Sequence, residues 1–346
     1  MSMDRQHDKS TALKARLLQA GKPAATRIDA EVRGRLPRII HAEADRSLER
    51  WLLAHADMLQ TLLHTVGGVL FRGFEVDGVD AFRAVCMRCI DELIPYQERS
   101  TPREERGGRV YTSTAYPSEQ TIALHNEFSY ALNWPMRICF YAQQVAAQGG
   151  ETPIADGRSV YQGIAPEVRD SFVRKGVMYV RRYGWGVDLS WQETFGTADP
   201  RVVEEYCQAH DIHYEWDGEK LTTRQVRQAV THHPVTGETV WFNQAHLFHA
   251  SNLPVEVHES IRRVMHGTFP REALYGDGTP IEPESLAQIR AAFEAAKVVF
   301  PWERHDVLLL DNVLINHGRN PYQGVRSILV AMGQLSQSSS VAQGAF

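Results

Sequence analysis

Apolar residues recur along this chain at two periods, one helical and one strand-like, and the two are largely segregated. Leu48, Leu52, Leu59, Leu62 and Leu63 return at helical spacing and predict one amphipathic helix over roughly 46–65. Gly67-Gly68 interrupts it, and Val69-Leu70-Phe71 reads as a buried strand. Phe82, Val85, Cys89 and Leu93 predict a second helix. From about residue 95 short β-prone runs separated by Pro and Gly take over, at 138–143, 177–182, 240–243, 307–311 and 327–332. Helical patterns interrupt them near 166–175, 200–209 and 283–297. This order predicts a mainly β chain with helical insertions (α+β), an antiparallel sandwich or barrel rather than a βαβ fold. Residues 1–40, polar apart from Leu13, Leu17 and Leu18, read as an N-terminal extension. Residues 41–335 read as one domain, and the Ser/Gln-rich 336–346 as a flexible tail.

Composition removes several classes. With 43% hydrophobic and 23% charged residues in 346, the chain has ample material for a large core. Its 37 Lys+Arg against 42 Asp+Glu give no basic excess for nucleic acid or an anionic membrane. No run approaches the ~18 apolar residues of a spanning helix. The polar start has no signal-peptide core. Four cysteines do not make a disulfide scaffold, so a cytoplasmic protein with reduced thiols is expected. A homo-oligomer is compatible with all of this.

Dinucleotide, P-loop, hydrolase-elbow and zincin motifs are absent, which leaves fifteen histidines as the conspicuous chemistry. A His-x-Asp/Glu pair on a strand presents both side chains to one face, where they can grip one metal ion. Fifteen His among 42 acidic residues in 346 give about 1.8 such matches by chance, so the pattern alone decides little. Four occur. His41-Ala-Glu43 and His55-Ala-Asp57 lie beside or inside a helical pattern and read as surface residues. His213-Tyr-Glu215 reads as an exposed hairpin. His125-Asn-Glu127 follows the β-prone run 121–124, and ligand and ordinary packing are evenly matched for it. A third ligand is sought at the end of a distant buried strand, where Asp306–Arg319 delivers His317 beside Gly318, although a lone histidine there is more often an ordinary packed residue. Arg326, opening the next β-rich run, needs an anionic partner if buried, and a small diacid would supply one. Cys86-x-x-Cys89 reads as core packing, His246-x-x-His249 as structural or pocket-lining, and His232-His233 before Pro234 as a solvated loop.

Four ordered motifs then carry a resemblance. Gly68-Val-Leu-Phe-Arg-Gly-Phe74, His125-Asn-Glu127, Gly149-Gly-Glu-Thr152-Pro-Ile-Ala-Asp156 and Asp311-Asn-x₄-His317-Gly-Arg-x₆-Arg326 resemble the taurine-dioxygenase-like (TauD/TfdA) Fe(II)/2-oxoglutarate oxygenases. Over roughly residues 65–335 the chain is most similar to the SyrP-like branch of natural-product enzymes, with Tyr96–Arg103 and Trp185–Trp191 adding to the likeness.

The resemblance implies a double-stranded β-helix (jelly-roll) core, with His125, Glu127 and His317 as catalytic iron ligands. It implies Thr152 and Arg326 on the distal carboxylate of 2-oxoglutarate, with O₂ as oxidant. Ferrous iron, Glu127 and the cosubstrate leave one negative charge, which Arg326 balances. The implied reaction is hydroxylation of an unactivated C–H, with desaturation or cyclisation at the same centre as the alternative. Glu127, present where family halogenases have a small residue, argues against halogenation. Val330 stands where taurine-type members have a second Arg, which argues against sulfonates. The expected substrate is a small amino-acid-like molecule, free or tethered to a carrier protein. Arg99, Arg103, Arg181 and Arg182 are candidates for its carboxylate, and Tyr111, Ser113, Tyr130 and Asn243 for the pocket wall. A non-catalytic jelly-roll binding protein is the rival from another class, and a zinc hydrolase a weaker one that leaves Arg326 unexplained.

Overall fold

The computed structural model describes residues 27–28, 36–114 and 116–337. Its main sheet has eight strands in the spatial order Arg27–Ile28, Arg38–His41, Gly68–Arg72, Val307–Asp311, Asn133–Gln144, Ser327–Gln337, Val110–Thr112 and Glu105–Gly107. The Arg38–His41 and Gly68–Arg72 pair is parallel; the other pairs of this sheet are antiparallel. A second sheet carries Lys297–Val298, Ile154–Asp156, Ile315–Arg319 and Ile122–His125. The two sheets pack as a jelly-roll sandwich and do not join into a closed barrel.

Alternation along the central strands explains their burial. Leu308 and Leu310 pack with Ile138, Phe140, Ile328 and Val330 against Leu124, Ile154 and Ile315 of the second sheet. Val307 and Leu309 point the other way, into a core with Leu52, Leu59, Leu63 and Phe82 from the helices. A strand covered on both faces has no polar face to show, hence the unbroken apolar run 307–310. A third sheet, Val177–Tyr183 between Lys220–Arg227 and Arg271–Tyr275 with His213–Asp217 at the edge, is inserted beside this core.

Helices Pro166–Lys175, Pro200–Ala209 and Pro283–Ala296 fall where the periodicity places them. Each has Pro in its first turn, where the missing N–H is harmless. The helix expected over 46–65 is instead two, Leu48–Ala54 and Ala56–Thr65, broken at His55. There the backbone leaves the helical region (φ −128°, ψ 29°) and the imidazole stacks on Trp51 at 4.6 Å. Two boundaries also differ. Arg38–His41, placed in the extension, is a strand of the main sheet, and the last strand runs to Gln337. Leu93 lies beyond its helix, which ends at Cys89. The Leu13, Leu17 and Leu18 pattern and residues 338–346 lie outside the described residues. Among the described residues, no helix is long and apolar enough to cross a membrane.

Candidate active site

Strand pairing in the second sheet creates the site. His125 ends Ile122–His125, and its Cα partner across the antiparallel ladder is His317. The two rings lie 4.5 Å apart. The ladder is irregular between His317 and Arg319, and Gly318 permits this close approach. A Cβ added there would sit 2.6 Å from the Ile122 carbonyl oxygen.

Glu127 reaches the histidines by a different route from the one expected. The strand stops at His125, so strand alternation does not aim the carboxylate. Asn126 leads into a turn over residues 127–130 that begins with Glu127 and holds Phe128 at φ 59°. Asn312, at the far end of Val307–Asp311, holds that turn. Its Oδ1 accepts from the Glu127 amide at 2.8 Å, and its Nδ2 donates to the Glu127 carbonyl at 3.0 Å. Asn126 Nδ2 donates to the Asn312 carbonyl at 2.6 Å, Asn316 Nδ2 to Asn126 Oδ1 at 2.7 Å, and Gln244 Nε2 to the Asn126 carbonyl at 2.8 Å.

His125, Glu127 and His317 each offer one ligand atom, and these atoms lie within 4.8 Å of one another. His125 Nδ1 is 2.8 Å from the Ala123 carbonyl. Donating there leaves Nε2 as a free lone pair. Burial, reinforced by His317, lowers the His125 pKa to about 3, so the ring is neutral at pH 7. Burial alone would raise the Glu127 carboxyl. Arg103 and the His317 hydrogen bond outweigh it and hold the group well below the usual carboxylate range. Buried His317 Nδ1 has no hydrogen-bond partner. Two imidazole nitrogens and one carboxylate oxygen thus converge at one point. This donor set suits a ferrous ion with positions left open.

A cavity beside the triad is lined by His125, His317, Thr152, Arg326, Arg103 and Ser113, with Phe140, Ile328 and Val330 on its apolar wall. Arg326 donates to the Gly150 carbonyl at 2.9 Å and to Ser113 Oγ at 3.2 Å. It forms no ion pair among the described residues. Burial, then the neighbouring Arg319, lowers its pKa to about 10. Gly150 (φ 75°) makes room for it, since a Cβ would meet Arg326 Cδ at 3.0 Å. Thr152 Oγ1 accepts from Trp302 Nε1 at 3.1 Å, leaving its own O–H to donate. Arg103 Nη2 donates to Glu127 Oε2 at 2.7 Å, while its buried Nε and Nη1 have no partner.

Other candidates lie elsewhere. The Tyr111 hydroxyl accepts from the Tyr96 amide at 3.1 Å, and the Tyr130 hydroxyl donates to the Glu98 carbonyl at 2.8 Å. Asn243 ties the Ala229 carbonyl to the Ala245 amide. None of the three lines the cavity. Arg99 donates to the Tyr96 carbonyl, Arg181 to the Arg99 carbonyl, and Arg182 pairs with Glu272. His213 and Glu215 form the exposed hairpin expected, 3.3 Å apart. Buried His246 meets the Leu124 carbonyl at 2.9 Å. His233 corrects the expectation of a solvated loop. It is fully buried, with Nε2 3.0 Å from Asp311 Oδ2, an oxygen that Arg137 also pairs.

Sequence reasoning missed the amide web and the Arg103–Glu127 pair. Arg319 was missed too; it lines the cavity and donates to the carbonyls of Tyr116, Pro117 and Gln120. The available signal was a polar Asp311-Asn312 inside a strongly apolar segment.

Two histidines on neighbouring strands of the second sheet and a carboxylate on the turn beside them form the donor set of the non-heme Fe(II) oxygenases, and this jelly-roll sandwich fits their 2-oxoglutarate-dependent class. The chain belongs to the TauD, TfdA family, whose model (taurine catabolism dioxygenase TauD) matches residues 31–332. It is 42% identical over 291 residues to the dapdiamide synthesis protein DdaC of Enterobacter agglomerans, covering 84% of this chain and 88% of that protein. It is 31% identical over 286 residues to a clavaminate synthase-like protein of Arabidopsis thaliana, covering 79% and 83%. The crystal structure of PvcB from Pseudomonas aeruginosa matches with a TM-score of 0.51 at 15% identity, over 85% of this chain and 84% of that one.

Proposed function

We propose that this dioxygenase hydroxylates an unactivated C–H of an amino-acid-like substrate, with His125, Glu127 and His317 holding the iron. The observation that carries the reading is the convergence within 4.8 Å of ligand atoms from buried Glu127 and His317 and half-buried His125, beside a cavity whose Arg326 guanidinium has no carboxylate partner among the described residues. When bound, iron and 2-oxoglutarate supply oxidising chemistry in which one oxygen atom of O₂ ends in succinate and the other in the substrate. The chain's own residues bind, orient and exclude water. Arg326 and the Thr152 hydroxyl receive the distal carboxylate of 2-oxoglutarate. Arg326 now bonds only neutral acceptors among the described residues, so an anion gains its full charge in a poorly screened place. Phe140, Ile328 and Val330 keep the cavity dry on one side.

Arg103, whose Nε and Nη1 are unused, takes the substrate's carboxylate, with Ser113 at the neighbouring wall. The relative named for dapdiamide synthesis supports a place in natural-product biosynthesis, with the amino acid free or on a carrier protein. Four free cysteines fit the cytoplasm. The test is incubation of the pure protein with Fe(II), 2-oxoglutarate, ascorbate and a panel of amino acids. Succinate release that depends on substrate, with a product heavier by one oxygen, is expected. Its absence from protein that is folded and metal-loaded overturns the reading.

A further inference from the structure

We infer that Asn312 is the positioning residue that makes Glu127 a ligand, a role that rests on the metal-site reading above. An acidic side chain two residues after a histidine has no fixed direction once the strand has ended. Here the strand ends at His125, and the peptide groups on both sides of the Glu127 Cα are bonded to one side chain, the Asn312 amide. The third bond of that amide, Nδ2 to the Pro135 carbonyl at 2.8 Å, ties it to the main sheet. Asn312 is itself fully buried, and its backbone carbonyl is held by Asn126, the residue between the two ligands. Asn316 and Gln244 close the web from the His317 strand and from the segment after Thr239–Trp241.

The web therefore joins the turn bearing Glu127 to the strand bearing His317 through neutral amides, without adding a charge beside the metal ligands. A carboxylate or ammonium in the place of Asn312 would leave a buried charge unpaired. Only a primary amide of this length offers one acceptor and two donors in that geometry. Its work is to spend in folding the conformational freedom that metal binding would otherwise have to remove.

Asn312→Asp, nearly isosteric but unable to donate to both carbonyls, tests this, with Asn312→Ser as the second variant should the first fail to fold. Mn(II) affinity is measured by calorimetry on folded protein, alongside Tm and the visible spectrum of the Co(II)-loaded form. Loss of a partner that orients a ligand lowers metal affinity about 10–100-fold, and that fall is expected here with an altered Co(II) spectrum. Tyr141→Phe, which removes a buried hydrogen bond to the Val76 carbonyl remote from the triad, should lower Tm and leave Mn(II) affinity unchanged. Mn(II) affinity within twofold of wild type in either folded Asn312 variant overturns the inference. If Glu127→Ala binds Mn(II) as tightly as wild type, the metal-site reading fails first and takes this inference with it.

Discussion

Arg103 and Glu127 form a buried ion pair, Nη2 to Oε2 at 2.7 Å, in which the acid is also one of the three converging ligand residues. Both side chains are almost wholly removed from water, at 4% and 3% exposure. Removing the arginine strands a carboxylate in a place that cannot hydrate it, a change that typically costs about 3–5 kcal/mol. Arg103→Ala should therefore lower the Tm of the metal-free protein markedly. Mn(II) should restore much of the loss, because a cation at the triad replaces the missing charge. Thermal melts with and without Mn(II) check this, and an equal deficit in both would show that the pair has no bearing on the metal.

Arg326 has a different dependence. It is buried with neutral acceptors, so its removal unbalances only a bound anion. Arg326→Ala is expected to raise the KM for 2-oxoglutarate about tenfold to a hundredfold, as loss of charge-assisted hydrogen bonds of about 1.5–3 kcal/mol requires. Metal affinity should stay within about twofold. Calorimetry with Mn(II) and steady-state kinetics separate the two; weakened metal binding with an unaltered KM would reverse the assignment.

Gly318 tests the strand pairing. An alanine Cβ would press on the Ile122 carbonyl at 2.6 Å, which is backbone and cannot rotate away. Gly318→Ala should destabilise the fold by about 1–3 kcal/mol, typical of overpacking. It should also weaken metal binding, since the displaced strand carries His125. A variant as stable as wild type under urea, with normal Mn(II) affinity, would contradict the close approach.

His246, bonded to the Leu124 carbonyl beside His125, brings a pH dependence of its own. Burial, opposed by its bond to the Leu124 carbonyl and aided by Arg290, lowers its pKa to about 4. Between that value and about 6.5 the unfolded chain binds a proton that the fold excludes, so stability rises with pH across this window and falls on acidification. The shift corresponds to about 3 kcal/mol at ~1.4 kcal/mol per unit. His246→Gln should flatten this part of the stability profile. Parallel urea-denaturation curves for the two proteins between pH 4 and 7 would refute it.

Much of the architecture was legible without coordinates because its causes are local. Proline-started amphipathic runs such as Pro166–Lys175, and an apolar stretch such as Val307–Asp311, carry their period or their burial in adjacent residues. His125, Glu127 and His317 could be chosen by combining residue type, spacing and resemblance, and the structure brings their ligand atoms together. The break at His55 escaped because apolar period continues across a turn that breaks the backbone. Tyr111, Tyr130 and Asn243 looked available from residue type alone, yet their polar atoms are spent on backbone groups.

By itself the sequence determined the mixed β and helical texture, the apolar central strands, and which side chains are chemically able to hold a metal and a diacid. Tertiary structure alone decided that His125 faces His317 across a ladder, that a turn clamped by an amide 185 positions away aims Glu127, and that Arg103 pairs with that same acid. The division is physical. Periodicity and propensity act between neighbours along the chain, whereas a buried charge or amide is defined by the partner that folding brings to it.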